Sequence, residues 1–554
     1  MKKKISLFLV LSILVTTVLS GCGAKGKISL FSEGEPGFII VRSAEASNEE
    51  REAANELRQT IADELDVKVT YKPDTVKHED GQIEIVLGQT NRPHTEEVYK
   101  ELANENENNG LDYIIRQKGD YIYIMGMTLL SLQDAINYFC DTFLKDTNGK
   151  VAYDYKYLYN YKAEGGEFAI AGNKDLSSYR IVTPRYNMSY LVGREVTPLS
   201  TQLLYATGCT VPVVMDNEEA TDYEIIVDSC NREGIPEAAD ADSYFIQVSG
   251  NKVYLGGGSN EATAMAVRKF TEMAKDGKAL AADAKITGSY SEDVKAYENE
   301  YTLTLADEFD TIDTDLWKIY DGAFSNGTTQ EGDPRKAYFT SSSKNLYVQD
   351  GSLYLRTTRE SDRYNSVELR SENSVWFKYG FIEISAKICS TKGQLAAFWL
   401  LGNAAQDYHS EIDIFESTLD WAKATPLSWV GGAVSGEGSN TYYCGWDGDQ
   451  KTDSYLHFEG SDLEDVYHTF GVEWTEDHIT WLYDGREFLT INTTVDERAV
   501  ATFNGLQQII LTQYGGINVI NAGFPDETTD WDKGYMAVDY LRLYQLPGQE
   551  LVRR

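Results

Sequence analysis

Along the 554 residues the spacing of apolar positions changes character twice. Lys2, Lys3 and Lys4 precede an apolar run, Ile5 to Leu19, broken only by Ser and Thr. A positive head before an apolar stretch too short to stay in a bilayer is the pattern of an export signal, expected over residues 1–21. No later run is long and apolar enough to cross a membrane by that measure. The Gly-, Lys- and Ser-containing stretch to residue 35 reads as a tether. From 36 to 290 short strand-like runs alternate with helix-period segments, as in α/β units. From 301 to 548 helical period is scarce and strand follows strand.

The middle of the chain repeats itself. Ile83–Gly88 (IEIVLG) matches Tyr223–Asp228 (YEIIVD), and Asn-Arg follows each, at Asn91-Arg92 and Asn231-Arg232. Asp112–Met127 matches Ser243–Gly258, each reading as two strands with a short turn and a small-residue loop. Helix-period segments follow, Leu130–Leu144 and Glu261–Ala274, with Ala135, Phe139 and Phe143, or Ala262, Ala266 and Phe270, on one face. Residues 36–165 and 178–290 are therefore expected to be two copies of one α/β unit. The acidic stretch 291–300 reads as a linker.

Beyond it, Ile382, Ile384, Ala386 and Ile388 alternate with Glu383, Ser385 and Lys387, as in a strand with one face buried and one in water. Asp350-Gly351 and Asp484-Gly485 sit between alternating runs and signal hairpins. The fold expected is multidomain: two α/β accessory units followed by an all-β jelly-roll sandwich.

Composition narrows the function. A net charge of −37 repels phosphate, which excludes a general nucleic-acid binder. The 37 Tyr and 9 Trp provide flat apolar surfaces. The cysteines are scattered without a C-x-x-C pair, and the six histidines have no H-E-x-x-H spacing, so neither a disulfide framework nor zinc hydrolase chemistry is expected.

The stretch His409-Ser410-Glu411-Ile412-Asp413-Ile414-Phe415-Glu416-Ser417 carries the chemistry. On a strand Glu411 and Asp413 share a face while Ile412 and Ile414 face the core. Glu416 falls on the wrong face unless one extra residue, a β-bulge, returns it. Three carboxylates on one side cannot all ionise freely, so at least one must hold its proton. A retaining glycosidase requires that: one carboxylate attacks, and another, protonated and about 5–5.5 Å away, gives its proton to the leaving oxygen.

Three resemblances extend this reading. Leu19-Ser20-Gly21-Cys22 resembles the lipobox of bacterial lipoproteins, which implies acylation of Cys22 and a lipid anchor on the outer face of a bacterial membrane. The α/β copies resemble the accessory domain ahead of the catalytic domains of α-glucuronidases and β-hexosaminidases. E-I-D-I-F-E resembles the E-x-D-x-x-E signature of glycoside hydrolase family 16, in its bulged, laminarinase-like branch. Ala306–Asp310, Lys378–Glu383, Ala397–Gly402, Tyr467–Trp474 and Val538–Tyr544 follow in the order of that family.

That resemblance implies Glu411 as nucleophile, Glu416 as general acid/base and Asp413 as the residue that holds Glu411, with a polysaccharide as substrate and no cofactor for catalysis. Leu395-Ala396-Ala397-Phe398-Trp399 departs from the laminarinase W-P-A-F-W, and Ser366–Ser371 is closer to the lichenase C-G-E-x-R-S. Candidate sugar contacts are Glu368, Arg370, Trp376, Trp399, His409, Trp474 and Tyr514. A structural Ca²⁺ is implied at Glu308, the Gly351 carbonyl and Asp539. The activity expected is endo-hydrolysis of β-1,3- or mixed β-1,3/1,4-glucan with retention. A β-galactan substrate, transglycosylation, and glycan binding without turnover stay open as alternatives.

Overall fold

The computed structural model describes residues 26–32, 35–65, 67–103, 109–145, 149–161, 168–323, 330–389, 391–402, 408–418, 430–434, 462–494, 500, 503–516 and 524–554. The chain forms two compact units, residues 1–163 and 164–554. The expected export signal, Cys22 and the first residues of the expected tether lie outside the described residues.

In the first unit a six-stranded sheet runs in the order Thr70–Pro73, Phe38–Arg42, Ile83–Leu87, Tyr121–Gly126, Tyr113–Lys118, Lys156–Tyr159. Its first four strands are parallel and the last two antiparallel. The helices Asn48–Leu65 and Leu129–Phe139 bury Leu57, Ile61, Ala135 and Phe139 on one face, against Ile85, Ile122 and Ile124. The short helix Thr95–Leu102 buries Val98 and Leu102 with Val86, Ile114 and Tyr123 on the other. Burial on both faces is why these strands read as continuous apolar runs.

From Lys27 onward the segment expected as a tether is folded. Lys27–Ser29 pairs with Lys150–Ala152 and buries Ile28, with Leu30 following. Two apolar side chains among Gly, Lys and Ser suffice once an open strand edge is available, and local composition does not reveal that edge.

In the second unit a sheet of Val213–Met215, Arg180–Thr183, Glu224–Val227, Lys252–Gly257, Ser243–Ser249 and Lys285–Ser289 has the same strand order and directions. The repeated Asn-Arg does the same work in both. Arg92 Nε donates to buried Glu84 at 2.6 Å, and its other nitrogens donate to the carbonyls of Asp74 and Val76 at 2.7 Å each. Arg232 Nε donates to buried Glu224 at 3.0 Å, and its other nitrogens donate to the carbonyls of Asp216 at 2.8 Å and Glu218 at 3.0 Å. Asn91 and Asn231 amides complete each turn on Asp74 at 2.9 Å and Asp216 at 2.8 Å. Burial favours the protonated form of Glu224, but hydrogen bonds from Arg232 and Arg180 outweigh it and hold the carboxyl down to about 2.

The rest of this unit is a jelly-roll-like sandwich. An eight-stranded sheet contains Ser352–Arg356, Tyr535–Gln545, Gly380–Cys389, His468–Trp474 and His478–Tyr483, and an eleven-stranded sheet contains Arg363–Arg370, Gln507–Gly515, Gln394–Gly402 and Tyr408–Thr418. One core, including Ile382, Ile384, Phe398, Ile412, Phe470 and Leu541, fills the space between them. Both hairpins turn on two residues of positive φ, Asp350 at 51° with Gly351 at 75°, and Asp484 at 45° with Gly485 at 72°. Glu550–Arg553 adds a last strand against Val375–Lys378, so the sandwich runs past residue 548.

The strand Gly380–Cys389 differs from its expected half-exposed form. Its polar face is also covered: Glu383 is 1% exposed and Ser385 0%. The helix Tyr190–Thr207 of the second α/β sheet begins on that face. Ser189 Oγ donates to Glu383 at 2.7 Å, the Tyr190 amide donates to it at 3.2 Å, and Ser385 Oγ donates to Asn187 at 2.8 Å. Phe381, Leu482 and Tyr544 of the sandwich join Tyr190, Leu191 and Leu255 in a single core. The segment expected as a linker is also packed, with Val294 and Tyr297, after Tyr290, against this core. The second α/β sheet and the sandwich therefore share buried surface, which a reading of strand periods alone treats as two faces in water.

Candidate active site

Tyr408–Thr418 pairs antiparallel with Gln394–Gly402, and the register slips by one residue. Phe398 lies opposite Phe415, but Trp399 lies opposite Asp413, so Ile414 is the extra residue. Ile412, Ile414 and Phe415 all reach the core, and burying two successive apolar side chains offsets the interrupted ladder. Beyond the bulge Glu416 lies opposite Ala397, while Asp413 and Glu411 lie opposite Trp399 and Leu401. Ala397, Trp399 and Leu401 are two residues apart and share a face, so the three acids share it too. From the facing sheet Trp481 Nε1 donates to the Asp413 carbonyl at 2.8 Å, anchoring the bulge.

The Asp413 side chain is 2% exposed. Burial, then the charges of Glu411 and Glu416, push its carboxyl well above the usual carboxylate range. Its Oδ2 is buried and meets no hydrogen-bond partner among the described residues. A protonated Asp413 between two other acids lowers the repulsion that three adjacent carboxylates would otherwise create.

A polar row continues across the same face. Glu416 lies opposite Ala397, Ala397 opposite Thr512, and Thr512 opposite Glu368. Trp399 Nε1 donates to Thr512 Oγ1 at 3.1 Å, and Thr512 in turn donates to Glu368 at 3.3 Å. Tyr514 OH donates to Glu368 at 3.0 Å, and Arg370 Nε at 2.7 Å. Arg370 also lies over the rings of Tyr320 at 4.7 Å and Trp399 at 5.7 Å. Leu395 and Ala397 pack with Trp399 and Tyr514 beside it. Burial and the Glu368 charge hold the Tyr514 hydroxyl well above its usual range, so it stays a donor. The arrangement gives a flat indole and phenol set beside three carboxylates, with its polar atoms already oriented.

Residues 334–541 match the model of Glycosyl hydrolases family 16. The C-terminal domain is a glycosyl hydrolase family 16 domain. Relatives include Glucan endo-1,3-beta-glucosidase A1 of Niallia circulans, 27% identical over 44% of this chain and 38% of that protein. A Beta-glucanase of Acetivibrio thermocellus is 27% identical over 32% of this chain and 46% of its own length. The Clotting factor G alpha subunit of Tachypleus tridentatus is 23% identical, over 45% and 35%. The chain spans less than half the length of each of these relatives. Among solved structures, the laminarinase catalytic domain from Thermotoga maritima MSB8 is 26% identical with a TM-score of 0.35, covering 44% of this chain and 98% of that one.

Within the family 16 domain the structure brings Glu411, Asp413, Glu416, Glu368, Arg370, Trp399 and Tyr514 to one face. Glu368, however, is fully buried and held by Arg370, Thr512 and Tyr514, so it positions those groups and is not itself open to a sugar. Two expected platforms are elsewhere. Trp474 is a core residue, edge-on to Phe377 at 5.8 Å and Tyr379 at 5.1 Å. Trp376 is 5% exposed, bonded through Nε1 to the Glu372 carbonyl at 2.7 Å and covered by Arg554. Phe470, Val472 and Trp474 alternate with Thr469, Gly471 and Glu473, which agrees with an inward Trp474, whereas Val375, Trp376 and Phe377 leave no period to tell which way Trp376 faces. His409 is on the acidic strand, opposite Ala433, and its side chain lies outside the described residues. Tyr320, just after the two-residue strand Lys318–Ile319, was not expected at the site, because so short a strand carries no periodic signal.

The implied Ca²⁺ ligands do not fit that ion as placed. Both Glu308 oxygens accept from Arg542 at 2.9 Å, so a guanidinium already supplies the positive charge. Asp539 lies close enough to Glu308 to feel its charge and Gly351 sits in its hairpin turn, so the Arg542 ion pair is the observation against the ion. Among the described residues no group of three or more His, Cys, Asp or Glu could hold a metal.

Proposed function

We propose that the chain is a retaining endo-glycosidase that hydrolyses internal linkages of a β-1,3- or mixed β-1,3/1,4-glucan. The observation that carries this reading is the single-residue bulge at Ile414, which sets Glu411, Asp413 and Glu416 on one face. The named activities of the β-glucanase relatives support the choice of polymer. Glu411, as carboxylate, attacks the anomeric carbon while Glu416 gives its proton to the departing glycosidic oxygen. Glu416 then takes a proton from water, whose oxygen displaces Glu411 from the glycosyl ester, and two inversions leave the configuration unchanged. Asp413 is the positioning residue, its retained proton shared toward Glu411. Trp399 offers an apolar platform for a pyranose ring.

The same proposal takes residues 1–21 as an export signal and Cys22 as acylated, so that the enzyme is held on the outer face of a bacterial membrane with the α/β units as non-catalytic partners. Glu411→Gln and Glu416→Gln should each lower kcat by about 10²–10⁴-fold at unchanged melting temperature. Azide added to Glu411→Ala should yield a glycosyl azide of inverted configuration. Wild-type turnover in either glutamine variant removes that residue from its role.

A further inference from the structure

The two α/β copies carry different side chains at matching places on their edge strands. In the second copy the edge strand Lys285–Ser289 sets Gly288 opposite Tyr244 and Ile286 opposite Ile246. The chain then folds back over that corner. Tyr290–Asp293 and Val294–Ala296 are helical, Tyr244 OH donates to Asp293 at 2.6 Å, and Lys269 lies 5.2 Å from the Tyr297 ring. The corner is capped by the protein itself.

In the first copy the same register puts Tyr159 opposite Tyr113 and Tyr157 opposite Ile115. Counting from the helix caps Thr128 and Ser259, Tyr138 stands where the second copy has Lys269. Tyr138 and Tyr157 stack at 4.1 Å and 5°, and Tyr113 and Tyr159 at 4.8 Å and 19°. The pairs adjoin, with Tyr113 6.0 Å from Tyr157 and 6.3 Å from Tyr138. Tyr157 and Tyr159, two apart on an edge strand, share a face about 6.6 Å apart. Tyr159 is 36% exposed. Lys156, on the opposite face by alternation, is turned to Glu101 at 2.7 Å, and the charged group beside Tyr113 is Asp134. Flat rings with hydroxyl edges and a carboxylate suit a neutral ligand that offers C–H faces and hydroxyl groups, and they repel an anionic one.

We infer that Tyr138, Tyr157 and Tyr159, backed by the buried ring of Tyr113, form a second, non-catalytic glycan-binding surface on the first α/β unit, which retains insoluble β-glucan. The choice of polymer rests on the proposed function; the surface itself rests on the ring geometry and on the partial exposure of Tyr138, Tyr157 and Tyr159.

The test uses the full chain in a Glu411→Gln background, so that the polymer is not digested, and measures co-sedimentation with insoluble β-1,3-glucan. Tyr157→Ala/Tyr159→Ala should weaken retention at least fivefold, while Tyr159→Trp and Lys156→Ala should retain it. In the active background, kcat and KM on short soluble β-1,3-gluco-oligosaccharides should be unchanged in all of them. Far-UV melting of the double variant, with the Trp variant as the ring-preserving control, separates lost contact from lost fold. Equal sedimentation of the folded double variant overturns the surface alone. Tyrosine-dependent sedimentation without cleavage by the unmutated chain overturns the proposed function and leaves the surface standing. A chain that neither cleaves nor sediments overturns both.

Discussion

Replacing Glu383 with Gln should change how the stability of residues 164–554 depends on pH. This carboxyl lies under the first turn of Tyr190–Thr207, accepting from Ser189 at 2.7 Å, Tyr190 at 3.2 Å and Tyr540 at 3.2 Å. Burial outweighs those bonds and raises its pKa from 4.5 to about 7. Between these values the folded protein keeps a proton that the unfolded chain releases, so this group makes stability fall as pH rises. A window of about 2.5 pH units at 1.36 kcal/mol each is worth about 3 kcal/mol. The E383Q variant has no such titration. Its amide loses the bond from the Tyr190 N–H, at about 1 kcal/mol, equally at every pH. All nine Trp lie at or beyond position 317, so urea unfolding followed by Trp fluorescence reports the second unit and not the first. From pH 4 to pH 8 the stability of E383Q minus that of the unmutated protein should rise by about 3 kcal/mol, the other carboxylates cancelling in the difference. A difference that stays flat refutes the argument that Glu383 is folded around its proton.

Residues 301–554 expressed alone should aggregate, because Phe381, Leu482 and Tyr544 lose their cover, whereas 164–554 should run as a soluble monomer; a monomeric 301–554 with the melting temperature of the full chain would count against the shared core. Arg92→Met should destabilise the first unit by about 3–5 kcal/mol, since it leaves buried Glu84 with only His78 at 3.2 Å among its described ion-pair partners. Arg232→Met should cost less in the second, where Arg180 at 2.8 Å and Lys252 at 3.3 Å still face Glu224; far-UV and Trp-detected melting read the two separately, and equal losses contradict the comparison. EDTA should leave the Trp-detected melting temperature unchanged, because Arg542 already occupies Glu308; a chelator-induced drop means a cation is bound there.

Much of this architecture is legible without coordinates because it is local. The alternation of Ile412 with the acids and the two-residue gap before Glu416 specify an outward acidic face only if one residue is added, since strand period is two. The Asn-Arg pairs mark the two copies as a repeat, and Asp-Gly marks both hairpins, because a two-residue turn depends on adjacent positions. What contacts a finished strand is not local. Glu383 and Ser385 alternate like a wetted face and are buried because a helix from 190 residues earlier lands on them. Trp376 stands in an apolar run without period, yet it packs under Arg554 away from the acids, and Glu308 is paired with Arg542 from a strand more than 200 residues later. Backbone dihedrals and side-chain periodicity are written into short segments, whereas burial and ion pairing are set by whichever distant surface packs against them.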